Sequence, residues 1–190
     1  HCNDWQSALT PVFYTTMYSK DPWYQGIKTV FTIHNIQYQG TYGMDLVSDV
    51  IGLKPEDAGI VEYDGDVNFM KGAIECADKV TTVSPSYAQE ILDPWYSSGL
   101  DTILKARQWK LQGILNGIDT ESYDPETDRA IEKNYSAKTA ESGKAENKRA
   151  LQENMGLPVR SDVPMIGLVS RLVSHKGLDL VKGIFDEFLS

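Results

Sequence analysis

In MIGLVSRLVSHKGLDLVKG an apolar run, Met165 to Val169, gives way to Ser170, Arg171, His175 and Lys176, and then to an amphipathic pattern. Cations just ahead of a helix N-terminus are electrostatically out of place, because the free N–H groups and the macrodipole there already favour anions. An anion joining them removes the conflict, and phosphate is the usual one. The Arg171 fork with the Lys176 point charge suits a diphosphate, neutralising a leaving group as its bond to a transferred group breaks. The plain alternative is a solvated surface pair, with His175 an incidental neighbour.

Other polar residues fall where ligands sit in doubly wound sheets, beyond the carboxyl ends of strand-like runs. His34 and Asn35 follow TVFTI, Ser84 follows KVTTV, Asn116 and Gly117 follow GIL, and Ser170 and Arg171 follow MIGLV. Taken singly, each has an ordinary reading: His34 as a satisfied histidine at a sheet edge, Ser84 as a helix cap, Asn116-Gly117 as a turn.

The elements that must position these residues alternate between β-branched runs and helical spacing. TVFTIHN (29–35) and KVTTVS (79–84) predict strands, and QGILNGID (112–119) a short apolar strand closed by an Asn-Gly turn. NFMKGAIECADK (68–79) places Phe69, Ala73 and Cys76/Ala77 at helical intervals. Ser84 is placed to cap a helix with Pro85 at its first position. AENKRALQENMGLP (145–158) predicts a helix with Gly156 as its C-cap and Pro158 beyond. PMIGLVS predicts another strand, and GLDLVKGIFDEFL a helix with Leu178, Val181, Ile184/Phe185 and Phe188 facing inward. The polar stretch from Pro125 to Lys148 belongs on the surface, opened by a turn at YDPETD (123–128). The order is βαβα with parallel-sheet character. A composition break at 159–162 divides residues 1–158 from a second α/β domain beginning at 163.

With 18 basic and 27 acidic residues the chain carries a formal charge of −9, which argues against nucleic acid or an anionic membrane as partner. No apolar stretch approaches the roughly 18 residues of a membrane span. Cys2 and Cys76 form neither a disulfide framework nor a metal-ligand pattern, so a reducing compartment is expected. His1, His34 and His175 are too scattered for a metal site. The acidic run EYDGD (62–66) lacks calcium-loop spacing, and neither G-x-G-x-x-G nor a P-loop is present. Trp5, Trp23, Tyr24, Trp95, Tyr96 and Trp109 offer sugar-stacking faces, although core packing accounts for most such residues. The chain opens at His1 and stops inside a helical pattern, so a piece of a longer protein is expected.

HCNDWQSALTP, KTVFTIHNIQYQG, NFMKGAIECADKVTTVSPSYAQEI, GILNGID, AENKRALQENMGL and VSRLVSHKGLDL together resemble the successive motifs of glycosyltransferase family 5, the ADP-glucose-using bacterial glycogen synthases and plant starch synthases. The resemblance covers practically the whole chain. It implies a GT-B fold: residues 1–158 would be the C-terminal part of the N-terminal Rossmann-like domain, 159–162 the linker, and 163–190 the start of the nucleotide-sugar-binding domain. It implies transfer of glucose from ADP-glucose to the non-reducing 4-hydroxyl end of an α-1,4-glucan, with retention and without a catalytic metal or cofactor.

By the same resemblance, His34 would stand beside the transferred glucose with Asn35 next to it. Asn116 and Gly117 would line the donor site, and Asp4 and Trp5 the interdomain cleft. Ser170, Arg171, Lys176 and Gly177 would seat the donor diphosphate, with Arg171 and Lys176 gripping it. Two departures, Asn3 where many bacterial members have histidine and His175 where glutamine is common, touch none of these roles. The family's Lys-Thr-Gly-Gly loop and Glu-Pro-x-Gly segment fall outside the 190 residues, so the piece alone is expected to be inactive. A cytoplasmic enzyme is implied, with a plastid one as the alternative; oligomeric state is open. Competing readings are a UDP-glucose-using GT-B enzyme that forms sucrose or trehalose, and a non-catalytic glucan-binding module.

Overall fold

A computed structural model describes residues 1–189, which form two compact units, one from His1 to Gly117 and one from Ile118 onward. The first unit runs β1 (Cys2–Asn3), α1 (Leu9–Phe13), β2 (Val30–Ile33), β3 (Thr41–Tyr42), β4 (Glu62–Tyr63), β5 (Asp66–Asn68), α2 (Phe69–Cys76), β6 (Lys79–Thr82), α3 (Pro85–Glu90), α4 (Asp101–Ala106) and β7 (Leu111–Gly113). Four strands make a wholly parallel sheet in the order β1-β2-β6-β7, the α/β class that the sequence predicts. Crossover helices cover such a sheet, so its central strands are apolar rather than alternating. Phe31, Ile33 and Val80 are accordingly buried with Met70, Ala73, Ile74, Leu100 and Leu104.

Hydroxyls tie the strands together where β-branched polar residues are enclosed. Thr32 Oγ1 and Thr81 Oγ1 share a hydrogen bond of 2.6 Å, and Thr82 Oγ1 donates to the Ile33 carbonyl at 2.8 Å. A smaller antiparallel sheet, β3-β5-β4, carries the acidic run EYDGD. Asp64 and Gly65, at φ 54° and 83°, form the two-residue turn joining β4 to β5. Positive φ at both central residues gives the hairpin twist that flanking strands require. These acidic residues therefore build a hairpin.

Helix α2 begins at a side-chain cap that the sequence reading did not single out: Asn68 Oδ1 accepts the Lys71 N–H at 2.9 Å. Its inward face is centred on Met70, Ala73 and Ile74, while Phe69 and Cys76 are only half-buried. The expected stripe is thus rotated. Ser84 caps α3, accepting the Tyr87 N–H at 2.9 Å with Pro85 at the first helical position.

The strand expected over 112–115 ends earlier, at Gly113. A Cβ on Gly113 would stand 2.1 Å from the Ser84 carbonyl oxygen, so only glycine lets β7 approach the start of α3 this closely. Past it, Ile114, Leu115 and Ile118 are exposed, the last at 84%. Apolar content marked this run as a strand, but these side chains find no apolar surface to cover.

The second unit contains helices α5 (Ala140–Asn154) and α6 (Leu178–Leu189). Helix α5 starts before the predicted 145, and its end is as predicted. Gly156 is left-handed at φ 67°, its N–H donates to Glu153 O, and the Leu157 N–H reaches back to Gln152 O. This pattern satisfies the last carbonyls of the helix. Residues 159–162 are strapped to α5, because Gln152 exchanges hydrogen bonds with the Arg160 backbone and Lys148 Nζ donates to the Ser161 and Val163 carbonyls.

The strand predicted at PMIGLVS is absent. A strand needs a neighbour for its backbone groups, and this unit holds no strand among the described residues. The run has no regular structure and lies open to solvent, with Val169 103% exposed. Helix α6 forms, but Val181, Ile184, Phe185 and Phe188 face solvent rather than a core.

Candidate active site

The carboxyl ends of β1 and β2 bring one group of predicted residues together. Asp4 lies just past β1 and donates its N–H to the Thr32 carbonyl at 2.9 Å. Its carboxylate Oδ1 accepts the backbone N–H of His34 at 2.8 Å and of Asn35 at 3.4 Å. One carboxylate therefore anchors both residues that follow β2. Asp4 sits at φ 52° and ψ −177°, a backbone region that is essentially glycine's. Strain of this kind persists where surrounding bonds over-determine the geometry, and here β1–β2 pairing and the two accepted N–H groups do so.

Trp5 is half-buried against Tyr42 and Phe69, with ring centroids 6.2 and 6.4 Å away. Gly40, at φ 68°, approaches so closely that a Cβ would lie 2.7 Å from Trp5 Cε3. The indole thus has a packing role beside the site. Asn35 Oδ1 accepts the Gln37 N–H at 3.0 Å and so shapes the turn after His34. Buried Ile36 follows, and its N–H donates to the Tyr87 hydroxyl at 3.4 Å. Burial raises the Tyr87 phenol above its ordinary pKa.

The His34 ring contacts a residue that the sequence reading set aside. Nε2 of His34 lies 3.0 Å from Oδ1 of Asn3. Asn3 carries no motif signal of its own; only adjacency of β1 and β2 in the sheet puts it there. Asn116 and Gly117 are exposed and lie beyond β7, at the end of the first unit. Ser84 acts as the helix cap already described.

The second group, Ser170, Arg171, Lys176 and Gly177, belongs to the second unit. Residues Ser174–Lys176 make one 3-10 turn, closed by Gly177 at φ 69° with its N–H on Ser174 O. The Gly177 carbonyl then accepts the Leu180 and Val181 N–H groups at 3.1 and 3.4 Å, starting α6. Glycine here permits the left-handed residue that joins the 3-10 turn to the helix. Arg171 and Lys176 are exposed, and among the described residues no carboxylate is paired with either. Both cations thus stand ahead of the α6 N-terminus without an internal counter-ion. By contrast, Arg107 is paired with Glu75 at 2.6 Å and Arg149 with Glu153 at 2.7 Å.

Among the described residues no cluster of three or more His, Cys, Asp or Glu could hold a metal ion, and no helix is long and apolar enough to cross a membrane.

Residues 1–106 match the family model described as the starch synthase catalytic domain. Glycogen synthase of Exiguobacterium sibiricum is 48% identical over 98% of the chain, and that of Clostridium perfringens 46% identical over 100%. The chain spans 39% of the length of each of these two relatives. The catalytic domain of starch synthase IV from Arabidopsis thaliana, solved bound to ADP and acarbose, superposes with a TM-score of 0.88 at 36% identity, covering 100% of this chain and 39% of that one. The chain belongs to the family of the starch synthase catalytic domain, which includes these glycogen synthases.

Proposed function

We propose that the enzyme containing this chain transfers glucose from ADP-glucose to the non-reducing 4-hydroxyl end of an α-1,4-glucan, with retention of anomeric configuration and without a catalytic metal. Residues 1–158 would belong to its acceptor-side domain, 159–162 to the linker, and 163–190 to the start of its nucleotide-sugar domain. Cytoplasmic placement follows the bacterial relatives. The observation that carries the reading is the pair Arg171 and Lys176, paired with no carboxylate among the described residues and standing ahead of a helix N-terminus, in a chain of this family. A diphosphate supplies the anion that both cations and the helix end favour.

In this reading Arg171 and Lys176 take up the charge that develops on the departing ADP. His34 and Asn35, fixed through Asp4, address the hydroxyls of the glucosyl group. Asn116 and Gly117 line the donor pocket, Ser170 and Gly177 shape the diphosphate seat, and Trp5 backs the cleft. The chain has two of the cations but less than half the length of its relatives, and alone it should not elongate glucan.

Glucan elongation by the full-length enzyme, with ADP-glucose and UDP-glucose in competition, tests the donor. Lys176→Ala should lower donor affinity or rate about tenfold or more, because a charge-assisted hydrogen bond to the anion is lost. Unchanged donor kinetics in that variant would remove the diphosphate role. Elongation by the 190-residue chain itself would refute its inactivity.

A further inference from the structure

Asn3 and His34 stand at the same end of adjacent parallel strands, since β1 and β2 pair with Asn3 opposite Thr32. The Asn3 backbone is also held by one hydroxyl: its N–H donates to Ser7 Oγ at 2.6 Å, and that hydroxyl donates to the Asn3 carbonyl at 2.8 Å. On the facing side, the His34 backbone is fixed by its 2.8 Å hydrogen bond to Asp4. Two anchored backbones therefore bring Asn3 Oδ1 to within 3.0 Å of His34 Nε2.

An amide oxygen can only accept, so this contact is a hydrogen bond when Nε2 carries the ring proton. A neutral imidazole has one N–H, and its other nitrogen then presents a lone pair. Among the described residues, His34 Nδ1 has no partner. It is available to accept from a hydroxyl.

We propose that Asn3 is a positioning residue, holding His34 in the Nε2–H tautomer so that Nδ1 accepts a hydrogen bond from a hydroxyl of the transferred sugar. This rests on the reading of His34 as the group beside that sugar. It also accounts for the residue at position 3. Asparagine offers an acceptor to Nε2–H, as a histidine ring nitrogen would, whereas alanine or leucine offers none.

The test uses the full-length enzyme with ring-15N-labelled histidine, at a pH above imidazole titration, with His34→Gln assigning the signal. His34 should be protonated on Nε2. Asn3→Ala should give a mixture of tautomers, Asn3→His should restore the single form, and kcat for glucosyl transfer should fall roughly fivefold in Asn3→Ala, the worth of about one hydrogen bond. Recovery of kcat in Asn3→His separates positioning from a general loss of structure. A wild-type ring protonated on Nδ1, or a tautomer unmoved by Asn3→Ala, overturns the positioning role and leaves the glucosyltransferase reading intact. A tautomer that shifts while transfer stays unchanged overturns the placement of Nδ1 at the sugar.

Discussion

Asp4 combines a costly backbone with a useful carboxylate. Its φ of 52° would suit glycine better, yet glycine could not accept the His34 and Asn35 N–H groups. The two contributions can be separated. Asp4→Gly loses the acceptor and relieves the strain; Asp4→Ala loses the acceptor and keeps the strain. The alanine variant should therefore be less stable than the glycine variant by about 1 kcal/mol in urea unfolding. The opposite order would show that the strain at this residue is negligible. Lys71 and Lys110 show another way of placing a polar group. Each buried ammonium donates to two backbone carbonyls, Gly59 and Ile60 for Lys71, and Glu75 and Ala77 for Lys110. Burial lowers the Lys110 pKa, and the carbonyls keep the ammonium hydrogen-bonded.

At the scale of elements, Asp78 joins the start of β2 to the turn between α2 and β6. Its carboxylate accepts the Thr29 N–H at 2.8 Å, the Thr29 hydroxyl at 3.2 Å and Lys28 Nζ at 3.1 Å. The Thr29 N–H, foremost among these, holds the carboxyl below its ordinary pKa. A folded pKa below the unfolded one gives stability that is complete above the unfolded value and is lost as pH falls through the folded value. The urea midpoint should therefore drop more steeply between about pH 5 and pH 2 in the wild type than in Asp78→Asn, which has no titrating group there. Identical slopes would mean that Asp78 contributes nothing to the acid sensitivity of the fold. Gly113 works at this same scale: its missing Cβ, rather than any hydrogen bond, sets how near β7 comes to α3.

For the molecule as a whole, the two units differ in what they enclose. The first buries its strands between helices, while the second leaves Ile166, Val169 and Leu172 of its irregular run and much of the apolar stripe of α6 exposed. A protease needs extended, unpaired backbone. Trypsin should thus cut the chain after Arg171, in the irregular run ahead of the 3-10 turn, before it cuts after Arg149, which is also on the surface but helical. Mass analysis of the first products checks this, and early cleavage at Arg149 would show that α5 does not hold.

Local chemistry made much of the chain legible in the sequence. β-branched runs marked β2 and β6, Ser84 capped its helix, Gly156 ended α5, and the cations at 171 and 176 stood out because they sit ahead of a helix N-terminus. Each of these signals acts within a few residues. Where partners distant in sequence decide, the sequence alone was insufficient. It carried the strand from 112 past Gly113, where β7 stops, and proposed another at 164–170, where no neighbouring strand exists among the described residues. It offered no reason to join Asn3 to His34, because 31 residues separate them and only the parallel pairing of β1 with β2 closes that distance. Residue type and local spacing by themselves determined which groups stand out as candidates, among them His34, Asn35, Arg171 and Lys176. The tertiary structure decided which of them meet, since hydrogen bonds across strands depend on register.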